Sequence, residues 1–112
     1  MNKYSMIIST FPDKESAKSA AKLLVEQHLA ACAQILPIES VYLWKNKICD
    51  ESEFMLLIKT KSNLFDKIKE TIKRVHSYEV PEIIQIPITD GLPDYLKWID
   101  ECTEEGNGRD KK

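Results

Sequence analysis

The stretch from Ala30 to Thr60 constrains this chain more than any other. It reads as two long runs of strand formers folded back on each other at Lys45-Asn46-Lys47. The first run is apolar from Ala30 to Leu36, and Pro37 then interrupts it, as proline does at a bulge or a sheet edge. Pairing resumes over Ser40-Val41-Tyr42-Leu43-Trp44, with Val41 and Leu43 on one face and Tyr42 and Trp44 on the other. Asn46 tolerates the left-handed backbone that a tight hairpin needs. Ile48 starts the return. Phe54 to Thr60 is apolar on both faces through Leu56, Leu57 and Ile58, which predicts a central strand covered on both sides.

Two helices and two further strands flank this hairpin. Tyr4 to Thr10 reads as a strand, and Phe11-Pro12-Asp13 ends it, with Asp13 as a helix N-cap. Ala17, Ala20, Ala21, Leu24 and Val25 then recur at helical spacing as far as His28. Ser62 reads as the cap of a second helix, whose stripe is Leu64, Phe65, Ile68, Ile72 and Val75. Ile83 to Ile88 is a fourth strand stopped by Pro87, Asp90-Gly91 turns, and Pro93 opens a short third helix. The fold class that follows is α+β: a ferredoxin-like β-α-β-β-α-β sandwich with an antiparallel sheet, a long central hairpin and a short C-terminal helix. One domain over residues 1–103 and a flexible charged tail over 104–112 account for the chain.

That fold has a surplus of apolar surface. Two helices cover one face of a sheet, yet Tyr42, Trp44, Phe54, Leu57 and Ile83 to Ile86 supply apolar residues to both. A second copy of the chain is the economical cover, so an oligomer is expected, with Tyr42, Trp44 and Ile48 at its interface.

Charge and composition exclude several classes. The net charge is −2 and there is no basic stripe, which argues against nucleic acid as a partner. No run approaches a membrane span, and the apolar stretch near the N-terminus is too short for a secretory signal, so a cytoplasmic protein with no membrane partner is expected. Cys32, Cys49 and Cys102 are odd in number and far apart, which is no disulfide framework. The first glycine after Met1 is Gly91, so no Gly-rich phosphate loop and no Gly-x-Ser-x-Gly elbow exists. No nucleophile stands beside a base, and the catalytic residues are none.

Metal ligands are sparse too. His28 ends a helix, where an imidazole commonly meets the last carbonyls. Cys32 sits in an apolar run and reads as core. His76-Ser77-Tyr78-Glu79-Val80-Pro81-Glu82 gathers an imidazole, a phenol and two carboxylates on a loop stiffened by proline. Such groups suit a cation or a small polar ligand. From spacing alone they suit better a helix end and a rigid turn, with Glu82 pairing a lysine.

Leu29-Ala30-Ala31-Cys32, Ser40 to Trp44, Ile58-Lys59-Thr60, His76 to Glu82 and Tyr95-Leu96-Lys97-Trp98-Ile99 together resemble the CutA family of divalent-cation tolerance proteins, in the family's order and over nearly the whole chain. The resemblance implies a ferredoxin-like homotrimer similar in build to PII signalling proteins. It implies a non-enzymatic role in tolerance of copper or another divalent cation, with none required for folding. The alternative it opens is a PII-like module that takes a small anionic ligand between subunits. In bacterial members a cysteine and two successive histidines are the proposed copper ligands. Ser9 and Val75 occupy the first two of those positions here and only His76 matches, so metal is expected to bind weakly if at all. The ligand cleft implied is Lys59, Tyr78, Glu82, Trp44 and Trp98.

Overall fold

A computed structural model describes residues 2–104. The elements run β1 Tyr4–Phe11, α1 Lys14–Glu26, β2 Cys32–Trp44, β3 Lys47–Lys61, a 3-10 turn Ser62–Leu64, α2 Phe65–Val75, β4 Ile83–Ile88 and α3 Pro93–Cys102. All strand pairs are antiparallel, in the order β2-β3-β1-β4. The ferredoxin-like reading stands, and β3 is central as expected.

The register divides the sheet into two faces. Ile7 lies opposite Ile58, and Leu56 opposite Ile35, so these side chains share one face. There they meet Ala17, Ala20, Ala21 and Leu24 of α1 and Ile68 and Ile72 of α2 in a single buried core. Asp13 begins α1 by accepting from the Ser16 amide at 2.7 Å through Oδ1. His28 ends it with a left-handed φ of 59°, and the amides of His28 and Leu29 close the last turn on the carbonyls of Val25 and Leu24. The buried Thr60 hydroxyl donates to the Leu29 carbonyl at 2.6 Å and ties that turn to β3.

The opposite face carries Met6, Ile8, Leu36, Ile38, Met55, Leu57, Ile84 and Ile86 by the same register. Among the described residues α3 lies against it at one end, where the Tyr4 hydroxyl donates to Asp100 at 2.7 Å and Lys3 pairs with Asp100 at 3.2 Å, and the loop after α2 reaches it at the other through Tyr78 and Glu53. Leu36, Ile84 and Ile86 keep 38%, 46% and 37% of their surface exposed, so within one chain the edges of this face stay open.

The hairpin turns through Lys45 and Asn46 with φ of 50° and 66°, the two left-handed residues of a type I′ turn, and Trp44 pairs with Lys47 across it. It projects. The radius of gyration is 14.6 Å, against about 13 Å for a compact chain of this length.

Five expectations change. Pro37 does not interrupt β2, and Pro87 does not stop β4: both lie within paired strands. Both strands are edges, where a residue without an N–H loses no sheet bond. Ser62 caps nothing. It sits in the 3-10 turn, and its hydroxyl bonds that of Ser5 instead. Cys32 is half-buried on the open face rather than in the core, because β2 starts there and alternation turns it away from the helices. Glu104 does not belong to a loose tail: its amide donates to the His28 carbonyl at 2.8 Å and its carboxylate pairs with Lys67 at 3.2 Å. The remainder of the expected tail lies outside the described residues.

Candidate functional site

A groove of about 890 Å³ opens between the hairpin and the loop that joins α2 to β4. The hairpin contributes Glu39, Tyr42 and Trp44, the body of the sheet Thr10, Glu53 and Met55, and the loop Tyr78, Glu79, Val80 and Glu82.

His76 positions the loop. The Tyr78 amide donates to its Nδ1 at 3.1 Å, so Nδ1 carries no proton, and Nε2–H then donates to the Thr10 carbonyl at 2.7 Å. The ring also stacks on Phe11, with centroids 4.4 Å apart. Both ring nitrogens are therefore in use, and this imidazole acts as a clamp that delivers Tyr78 to the groove.

Tyr78 in turn donates to Glu53 Oε2 at 2.5 Å. Glu53 is only 6% exposed, and among the described residues no lysine, arginine or histidine lies within ion-pair distance of it. Burial, then the bond to Glu53, hold the Tyr78 hydroxyl well above the usual tyrosine range. Nearby, Tyr42 donates to Glu51 at 2.7 Å, and this bond pushes its hydroxyl up to about 12. The groove thus has two phenols locked in their neutral form by two carboxylates. At its mouth the Lys45 ammonium lies 5.5 Å from the Trp44 ring centre and 3.7 Å from Glu79.

Of the expected cleft residues, Trp44, Tyr78 and Glu82 line the groove. Glu82 makes no ion pair with a lysine among the described residues. Within one chain Lys59 and Trp98 lie away from this groove, whereas the cleft implied by the resemblance lies between subunits. Lys59 shares the open face with Glu53 but is six residues along the same strand, about 20 Å away. It donates to Gln34 at 2.7 Å and pairs across the strands with Cys32. Tyr95, pushed up by burial and then by Cys32, lies against that cysteine and 5.4 Å from Trp98. These residues form a second cluster at the α3 end.

The expected interface residues also divide. Tyr42 and Trp44 look toward the open face, while Ile48 pairs with Leu43 on the other. Val41, Leu43 and Ile48 are 70%, 68% and 79% exposed. The hairpin is therefore bare and apolar on its helix-side face and partly shielded on the other.

Sequence reading missed Glu53 and Glu51. Their spacing held the signal, because carboxylates at i and i+2 of a strand share a face. What it lacked was the register that sets Tyr42 and the Tyr78 loop beside them.

Among the described residues, no three His, Cys, Asp or Glu side chains are placed to share a metal ion. Ser9 is fully buried on the helix side, Val75 is half exposed at the end of α2, and His76 has no free nitrogen.

A four-stranded antiparallel sheet, two helices on one face, a short third helix on the other and a projecting hairpin define a ferredoxin-like domain of one particular build. The chain matches the family described as CutA1 divalent ion tolerance protein over residues 5–102, and it belongs to that family. It is 42% identical over 99 residues to the divalent-cation tolerance protein CutA of Thermus thermophilus, covering 88% of this chain and 96% of that one. It is 44% identical over 96 residues to mouse Protein CutA, covering 85% of this chain and spanning 54% of that longer protein. The solved structure titled periplasmic divalent cation tolerance protein CutA from Archaeoglobus fulgidus superposes with a TM-score of 0.89 at 42% identity, over 90% of this chain and 99% of that one.

Proposed function

We propose that this protein serves divalent-cation tolerance as a non-enzymatic, cytosolic homotrimer that contacts its metal ion, copper in the family resemblance, only weakly. The observation that carries the assembly is the hairpin. Val41, Leu43 and Ile48 are about 70% bare on one side, and the open sheet face adjoins the other. Covering three such side chains is worth on the order of 3–6 kcal/mol. Association costs about 4–15 kcal/mol, so the hairpin alone does not suffice and the open sheet face must be covered as well. Each chain then needs neighbours on two sides, which a closed ring supplies and the smallest ring is a trimer.

The weak metal contact follows from the engaged nitrogens of His76 and from Ser9 and Val75. The rival reading, a small anion between subunits, is opposed by the charge that one chain brings: Glu39, Glu53, Glu79 and Glu82 line the groove and, among the described residues, no lysine or arginine does.

Two measurements test the proposal. Light scattering of the purified protein should give three times the 12.9 kDa chain mass, and Trp44→Asp should give monomers or aggregates. Copper titration of the wild type should show weak, saturable binding. A well-behaved trimer from Trp44→Asp refutes the assembly argument, and negligible copper binding refutes the metal role.

A further inference from the structure

We draw no further inference here: the strongest candidate, the side-chain cluster of Cys32, Lys59, Tyr95 and Trp98 at the α3 end of the open sheet face, rests on a lone cysteine with no second observation among the described residues that points to a ligand, since Lys59 is engaged by Gln34 and the Tyr95 hydroxyl lies against Cys32 itself.

Discussion

Tyr78→Phe and Tyr42→Phe delete the same atom from the same kind of bond in two different settings. Tyr78 donates at 2.5 Å to Glu53, which is 6% exposed. Tyr42 donates at 2.7 Å to Glu51, which lies on the open surface of the hairpin. A hydrogen bond to a charged group is worth about 1.5–3 kcal/mol, and leaving a buried acceptor unmet carries its full desolvation penalty. Tyr78→Phe should therefore cost about 2 kcal/mol. Water replaces the lost donor at Glu51, so Tyr42→Phe should leave stability nearly unchanged. With a urea m-value of about 1–3 kcal/mol/M, the first change lowers the unfolding midpoint by about 1 M and the second hardly moves it. Both are compared with wild type at one protein concentration, because association contributes to the midpoint. Combining Tyr78→Phe with Glu53→Gln should cost less than the sum of the two single changes, since they share one bond. Equal losses from the two phenylalanine variants, or an additive double mutant, would refute the claim that burial of Glu53 sets the strength of this bond.

Other outcomes follow from the same geometry. His76→Ala should lose about 2–4 kcal/mol in urea unfolding, because it removes two hydrogen bonds and the stack on Phe11; an unchanged midpoint would show that the imidazole is no clamp. Asp13→Ala should cost about 1 kcal/mol through the lost cap of α1, read by the same assay. Alkaline pH should destabilise the fold. All four tyrosines are held above the ordinary value of 10.0, so above about pH 10 the unfolded chain gives up protons that the folded chain keeps. Their stabilisation is complete below that pH and fades as pH climbs through their raised values. Urea midpoints between about pH 8 and about pH 11 should fall, with tyrosinate absorbance of the folded protein lagging behind that of the unfolded chain; coincident titrations would contradict the assigned bonds.

Much of this molecule was legible in local sequence. The type I′ turn at Lys45-Asn46, the Asp13 cap and the stripes of α1 and α2 depend on residues within one turn or one strand, where propensity and periodicity act directly. Three of the misread signals were Pro37, Pro87 and Ser62. Each has a local preference that depends on what stands beside it. A proline breaks a central strand and is harmless on an edge, and strand order is not a local property. Ser62 met Ser5, 57 residues away in sequence, and bonded there instead of capping.

The candidate site shows the same division more sharply. Sequence alone determined that Tyr78, Glu79 and Glu82 share a stiff loop, that Tyr42 and Trp44 share a face, and that the strand-rich centre would form a hairpin. Those are consequences of alternation and of backbone chemistry. Tertiary structure decided which of these segments meet. Register placed Glu53 beneath Tyr78 and sent Lys59 about 20 Å along the strand, and the docking of α3 carried Trp98 to the far end of the sheet. A one-residue change in register would have turned Glu53 and Lys59 to the opposite face. That is why residue identity could propose a groove, and why only the pairing of β1, β2 and β3 could make it acidic.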